Sequence, residues 1–428
     1  MKIERITINR INPAPYNPRV DLKPGDADYE KLKRSINEFG YVEPIVWNKQ
    51  TGNLVGGHQR YKILISEGAT EVDASIVDLS IDKEKALNLA LNRITGRWDN
   101  DKLASLLEEL SDMPDIDVSL SGFDAPEIST ILDAATEIDD DDFNVEEEVE
   151  KIDKPITKRG DLIQLGKHRL LCGDSSKKED LRYLFNNRKA QLLYTDPPYN
   201  VDYEVNKRPT GKEKRKNKKQ WKKIASDNLS QDKYEEWLTG IFENVTPFLD
   251  SGAPTYIWNG FRQFGPMHAI LERLGFYIAA VITWAKPNFA ISYADYNQQT
   301  EFCLYGWREG NGPHRWYGST SESTLWNVNR DATKEYIHPT QKPVELAARA
   351  LKNSSIQGDI VLDTFLGSGT TLICAEKMQR VCYGVEYEPK YCDAIVRRYI
   401  HCFGKESVSK ETIEKYTVKN EEEENNER

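Results

Sequence analysis

Between residues 156 and 405 short apolar runs alternate with amphipathic stretches, and this alternation restricts the fold more than any other feature of the chain. HRLLCGD, AQLLYTD, PTYIWN, FYIAAVITWA, EFCLYGW, DIVLDTF and VCYGVE read as strands; SKKEDLRYLF, YEEWLTGIFENV, MHAILERLG, PVELAARALKN, TTLICAEKM and YCDAIVRRYI read as helices. Such an order predicts an α/β fold, a doubly wound parallel sheet with helices on both faces. Ligands of these sheets sit beyond the carboxyl ends of the strands, so the residues directly after each apolar run are the candidate site.

At 428 residues the chain is too long for one small module, and its pattern divides it further. Residues 1–97 mix short strands with amphipathic helices, such as YEKLKRSINEFG with Leu32 and Ile36 on one face, and read as a small α+β domain. Residues 98–135 space Leu103, Leu106, Leu107 and Leu110, then Ile128, Ile131 and Leu132, as a helical extension. Lys and Arg number 58 against 69 Asp and Glu, a net −11 that as a whole argues against a polyanionic partner. Its placement reverses that inference. Residues 137–150 hold nine acidic side chains and no basic one, and residues 406–428 carry a net −4, which leaves +2 for the rest. A like-charged block repels itself, so residues 136–155 are expected to be an extended acidic linker and 406–428 a frayed acidic tail. No apolar run approaches the ~20 residues that span a bilayer, and a soluble, cytoplasmic protein is expected. The six cysteines form no CxxC pair and have no histidines at zinc spacing, so neither a disulfide framework nor a metal site is expected.

Two strand ends are unusual. Asp196-Pro197-Pro198-Tyr199 follows QLLYT, and two prolines there stop the strand, remove two backbone donors and fix the chain stiffly beside a carboxylate and an aromatic ring. That strip suits a planar ligand carrying an amino group; alone, it also describes a Pro-Pro turn with an exposed tyrosine. Asp363-Thr364-Phe365-Leu366-Gly367-Ser368-Gly369 follows DIVL and opens a helix, where glycines let a ligand approach the backbone. The next strand ends in Glu386, at the distance where an acidic side chain accepts from ribose hydroxyls. No GxxxxGK[ST] is present, which disfavours a nucleoside triphosphate in this domain.

With His338-Pro339-Thr340-Gln341-Lys342-Pro343 between them, these segments run DPPY, HPTxKP, FxGxG. In that order the chain resembles the amino-group DNA methyltransferases that use S-adenosyl-L-methionine, in the subgroup where DPPY precedes FxGxG. The resemblance implies a Rossmann-like methyltransferase domain over 156–405 whose cofactor is lined by Asp363, Phe365, Gly367 and Gly369. Glu386 would hold the ribose, Thr340 and Lys342 the methionine carboxylate, and Asp174 the adenine amino group. Asp196, Pro197, Pro198 and Tyr199 would be catalytic. The Asp196 carboxylate and the Pro197 carbonyl would accept the two amino hydrogens of a flipped base, and Tyr199 would stack on it. Carbon-5 methylation of cytosine needs a cysteine nucleophile, usually after proline, and no cysteine here follows one. Asp at the first motif position resembles the adenine-N6 group more than the Ser common in the cytosine-N4 group. Both bases stay open, as do RNA as substrate and a DNA-binding protein with an inert methylase half.

The resemblance further implies double-stranded DNA as partner, a restriction-modification setting and a cytoplasmic protein of bacterial, prophage or phage type. A basic run after the catalytic strip, with Lys214, Arg215, Lys216, Lys218 and Lys219, would clamp phosphates. Target reading is expected within 285–337, which is rich in Asn, Gln, Arg and aromatic residues. In the amino-terminal domain, Asn17-Pro18-Arg19, Gly56-Gly57-His58-Gln59-Arg60 and Asn92-Arg93 resemble the ParB and sulfiredoxin-like family. Gly57 and Arg60 match its phosphate-binding turn, whereas His58 and Gln59 replace the family's Glu and Arg, so docking of DNA or a partner is favoured over nucleotide hydrolysis. A nucleotide at this domain and a second copy of the chain are the remaining candidate partners.

Overall fold

A computed structural model describes residues 2–92, 98–113, 116–200, 229–290, 295–328 and 342–417. The basic run from Lys207 to Lys223, Arg93 and His338 to Gln341, with Thr340, lie outside the described residues. The chain divides into two compact units, Met1–Glu137 and Ile138–Arg428.

In the first unit five strands lie in the order Ile3–Thr7, Glu71–Val77, Ile45–Asn48, Asn53–Gly56, Asn12–Pro13, around a core of Ile6, Ile45, Trp47, Leu54, Tyr61 and Val72. The helical extension packs Leu103, Leu106, Leu107 and Leu110 of helix Asn100–Ser111 with Phe123 and Leu132. Helix Ala125–Ala135 begins in a capping box, where Asp124 accepts from the Glu127 amide and the Glu127 carboxylate from the Asp124 amide.

Among the described residues the second unit holds a nine-stranded sheet in which five adjacent strands are parallel: Pro254–Asn259, Leu192–Thr195, Ile360–Asp363, Val381–Glu386, His168–Cys172. Leu192–Thr195, Ile360–Asp363 and Val381–Glu386 are buried at every position, as a sheet covered on both faces requires. Alternate residues feed separate cores: Leu192, Val361 and Cys382 on one face, Leu193, Leu362 and Tyr383 on the other. From Leu192–Thr195 the chain proceeds outward to Pro254–Asn259, and from Ile360–Asp363 the opposite way to Val381–Glu386. The connections diverge between these two neighbours, so the ligand crevice opens there. Among the described residues no helix is long and apolar enough to cross a membrane.

The acidic segment departs from its expected extended form. Val145–Lys151 is a helix capped by Asn144, and Val145 and Val149 are buried against Ala394 of helix Pro389–Phe403. The repulsion argument fails because the partners lie far along the chain: Asp141 pairs with Arg398, Glu148 with Arg397, Asp142 with His401. Acidic residues also fill the first turn of that helix, where its dipole favours them. The tail likewise folds as far as helix Lys410–Thr417, whose Tyr416 is buried and meets the Thr157 hydroxyl at 2.8 Å.

Candidate active site

The Asp196–Tyr199 strip and the glycine loop leave adjacent strands and are tied together at once. Thr195 Oγ1 donates to Asp363 Oδ1 at 3.2 Å and lies 2.8 Å from Thr364 Oγ1. Beyond it Asp196 takes the floor of a polar pocket, with its side chain about a third exposed, at 31%. The Tyr199 hydroxyl donates to Asp196 Oδ1 at 2.8 Å, and the Lys342 ammonium donates to Asp196 Oδ2 and, at 3.1 Å, to the Tyr199 oxygen. Pro198 offers its carbonyl to the Tyr234 hydroxyl, which anchors the strip from below. A Cβ on Gly260 would stand 3.3 Å from the Tyr199 ring, so a glycine there lets the ring lie against the backbone.

Sequence reasoning missed Glu301 and Lys286. Strand Gln298–Arg308 brings the Glu301 carboxylate to 3.3 Å from the Lys342 ammonium, and Lys286 pairs with the same carboxylate from the neighbouring strand. Burial raises the Asp196 carboxyl above its usual range and Glu301 adds to that, while Lys342 opposes it. Burial also acts on Glu301, yet its two lysines outweigh it and hold the carboxyl down at about 2. Burial would lower the Lys342 ammonium, but Asp196 and Glu301 prevail and raise it, so it stays charged. The pocket thus presents an alternating row of charges, Asp196, Lys342, Glu301, Lys286. The only sequence signal for it was a carboxylate at the head of an apolar run, EFCLYGW.

In the glycine loop, Asp363 accepts from Thr371 Oγ1 at 2.6 Å and from the Phe365 amide at 3.0 Å; burial pushes its carboxyl up to about 6 against these bonds. Glu386 Oε2 accepts from the Gly367 amide at 2.8 Å and Oε1 from the Glu388 amide at 2.8 Å, with burial raising it to about 7. Gly369 has φ +84° and a Cβ there would meet Ile395 at 3.0 Å, so this glycine serves the packing of the loop on the next helix. Gly367 has φ +55° and only the Phe365 oxygen, at 3.9 Å, near a Cβ; above it the loop is open. Phe365 packs beside Trp237. Asp174 accepts from Ser176 at 2.7 Å and 3.0 Å in a tight turn, and the next residue, Ser175, donates to the Thr364 carbonyl at 2.8 Å. An open glycine above a strand end, a buried acid on the adjoining strand and a nearby acidic turn fit the donor and acceptor pattern of S-adenosylmethionine. Lys342, which the family resemblance gives to the cofactor's carboxylate, has its ammonium on Asp196 and Glu301.

The segment expected to read the target, 285–337, contributes strands Gln298–Arg308 and Leu325–Asn327 to the large sheet. Asn200, at φ +53°, receives a bond from the Leu229 amide at 2.8 Å and donates to its carbonyl at 2.9 Å. It therefore ties together the two ends of the segment that carries the basic run.

In the amino-terminal unit Gly57, at φ +85°, precedes helix His58–Ser66, and Arg60 in its first turn pairs with Glu43. Arg19 donates to Asn92, so two of the family-like segments meet. Buried atoms without a protein partner gather in these same segments: Asn17 Oδ1, His58 Nε2, Gln59 Oε1 and Asn92 Nδ2.

Known proteins match both units. Residues 190–397 match the N6/N4 DNA methylase family, 101–159 the ParB-methyltransferase HTH domain and 1–93 the ParB N-terminal domain. Type II methyltransferase M2.MboI of Moraxella bovis is 25% identical over 230 residues, 50% of this chain and 82% of that one. Type II methyltransferase M.HpaI of Haemophilus parainfluenzae is 28% identical over 253 residues, 54% and 73%. A crystal structure of the M1.HpyAVI–SAM complex superposes with a TM-score of 0.41 at 23% identity, over 54% of this chain and 97% of that one. Residues 190–397 thus form an N6/N4 DNA methylase domain, of the kind that uses S-adenosylmethionine, behind a ParB N-terminal domain over 1–93.

Proposed function

We propose that the chain methylates the exocyclic N6 of adenine in double-stranded DNA. The observation that carries this is the Asp196 carboxylate, fixed by Tyr199 and Lys342 at the mouth of the crevice. An aromatic amino nitrogen is a poor nucleophile because its lone pair is delocalised into the ring. An ionised carboxylate has about four acceptor positions, so Asp196 can take an amino hydrogen while keeping both of its present partners. With the Pro197 carbonyl taking the other hydrogen, the nitrogen lone pair is turned out of conjugation. S-adenosylmethionine, when bound, supplies the methyl group and its electrons leave with sulfur. The nitrogen then carries positive charge and releases a proton, for which a carboxylate raised by burial is a better acceptor than an exposed one. Tyr199 stacks on the flipped base and offsets part of the few kcal/mol that flipping costs.

Incubation with labelled S-adenosylmethionine and unmethylated genomic DNA, followed by nucleoside analysis, is the direct test. Label in N6-methyladenine is expected. N4-methylcytosine would replace adenine by the alternative base, and no label in DNA of varied sequence would sink the proposal.

Glu386 gives a further expected result. Its carboxyl sits near 7 in the free protein and accepts ribose hydroxyls best when ionised. Binding of S-adenosylhomocysteine should therefore tighten about tenfold between roughly pH 6 and pH 8, as titration of a single group near 7 requires. The same group acts oppositely on the free fold. Between its ordinary value of 4.5 and about 7 the folded chain keeps a proton that the unfolded chain has lost, so its contribution to stability falls as pH rises through that window. Calorimetric titration across pH checks the first statement, and a flat Kd would assign the ribose to another group.

For the amino-terminal unit, the orphaned atoms of His58 and Gln59 directly after Gly57, with those of Asn17 and Asn92 in the other family-like segments, support a docking module for a phosphate-bearing ligand. Nucleoside triphosphates should bind without being hydrolysed. Arg60→Ala should abolish that binding in equilibrium dialysis, and unchanged binding would remove the turn from the site.

A further inference from the structure

Asp141 and Arg398 are 257 residues apart and form a buried fork, the two side chains 8% and 1% exposed. Arg398 Nε and NH2 reach the Asp141 carboxylate at distances from 2.7 to 3.1 Å, and burial of that carboxylate is outweighed by the guanidinium, which keeps it ionised. The third nitrogen of the fork points elsewhere. Arg398 NH1 donates to the Ser368 carbonyl at 2.8 Å and lies 3.4 Å from Thr370 Oγ1. Ser368 stands between Gly367 and Gly369, so the peptide that carries the left-handed turn of the glycine loop hangs on this arginine.

An arginine buried to this degree needs a fixed anion to set its plane, and a carboxylate meeting two of its nitrogens does so. The residue before it supports the other side of the crevice. Asp140 Oδ1 accepts from the Val344 amide at 2.7 Å, the first amide of helix Val344–Ser354, two residues after Lys342. The Asp139 carbonyl accepts from Lys377 at 2.6 Å. Three consecutive residues of the acidic segment thus hold the helix after Lys342, the end of the helix after the glycine loop, and the loop itself.

We propose that Asp141 is a positioning residue for the cofactor: through Arg398 it sets the Ser368 peptide and hence the shape of the glycine loop that receives S-adenosylmethionine. The acidic segment is part of the cofactor site's frame, although it touches no reacting atom. This rests on the glycine loop being the cofactor loop, and the test separates the two.

The full chain is titrated with S-adenosylhomocysteine by calorimetry, with thermal midpoints recorded to show that each variant is folded. Asp141→Asn should weaken binding about tenfold and raise the KM for S-adenosylmethionine by a like factor, with kcat at saturating cofactor within about twofold of the parent. Glu148→Gln breaks a neighbouring pair between the same segment and the same helix, Glu148 with Arg397, that does not reach the loop; it should leave binding unchanged. In an Arg398→Met background, Asp141→Asn should add nothing, because its route is already cut. Parental binding by Asp141→Asn, or equal losses in Asp141→Asn and Glu148→Gln, would overturn the proposal. Gly367→Ala isolates the underlying reading. If it weakens binding while Asp141→Asn does not, only the positioning role fails; if neither does, the loop is not the cofactor loop.

Discussion

Asp196→Ala should reduce single-turnover methyl transfer by roughly a thousandfold, a loss of about 4 kcal/mol in transition-state stabilisation. Among the described residues the Asp196 carboxylate accepts from the Tyr199 hydroxyl and the Lys342 ammonium, while the open glycine and Glu386 lie at the ends of other strands, so S-adenosylhomocysteine should still bind within about threefold of the parent. Asp196→Asn is the sharper version. It keeps the size and one carbonyl acceptor but removes the charge that faces the developing cation, and it places an amide donor against the Lys342 ammonium or the Tyr199 hydroxyl. It should therefore lose nearly as much as alanine. Rapid-quench measurement with a saturating duplex reports the chemical step alone. A loss confined to the KM for DNA, with the chemical rate intact, would make Asp196 a binding group and remove it from the reaction.

That expectation was legible in the sequence because its parts are contiguous: a strand, two prolines that stop it, a carboxylate and a ring within four residues. The glycine loop and Glu386 were legible for the same reason, each being the end of an apolar run. Glu301 and Lys286 were not. They reach the pocket through the pairing of two long antiparallel strands, and nothing local to EFCLYGW or WAKPN says that their charges face each other, or that Lys342 joins them. Asp141 shows the opposite failure. Its neighbourhood spoke loudly and misled, since nine acidic and no basic residues over 137–150 describe a solvated linker until Arg397, Arg398 and His401 arrive from the far end of the chain. Local repulsion is a statement about a window, whereas burial is a statement about the folded whole. The same lesson applies to the net charge of −11: part of it is neutralised inside the methylase unit, so it says little about the surface presented to DNA.

Lys342→Met should reveal what the row of charges is for. Removing this ammonium leaves the partly buried Asp196 carboxylate near Glu301 without the cation it pairs with among the described residues, while Glu301 keeps Lys286. Of the influences that remain on Asp196, burial, the largest, and the like charge push its carboxyl up, and the Tyr199 hydroxyl opposes them. A carboxyl raised in this way is ionised to a smaller extent at any fixed pH, and only the ionised form accepts the amino hydrogen while facing the developing positive charge. The acid limb of the rate profile should therefore move to higher pH. At about pH 7 single-turnover transfer should fall roughly a hundredfold, and part of the loss should return as pH is raised toward about 9, the sign expected when a buried acid loses its counter-ion. Lys342→Arg keeps the charge, but its wide planar fork must fit where a compact ammonium serves Asp196, Glu301 and Tyr199 together, so it should restore the position of the acid limb better than the rate. The competing role for this lysine makes the outcome decisive. If its partner in the working enzyme were the methionine carboxylate of the cofactor, Lys342→Met would raise the KM for S-adenosylmethionine and weaken S-adenosylhomocysteine binding, with the acid limb where the parent has it. A shifted limb with cofactor affinity kept assigns Lys342 to the Asp196 carboxylate that it holds in the structure.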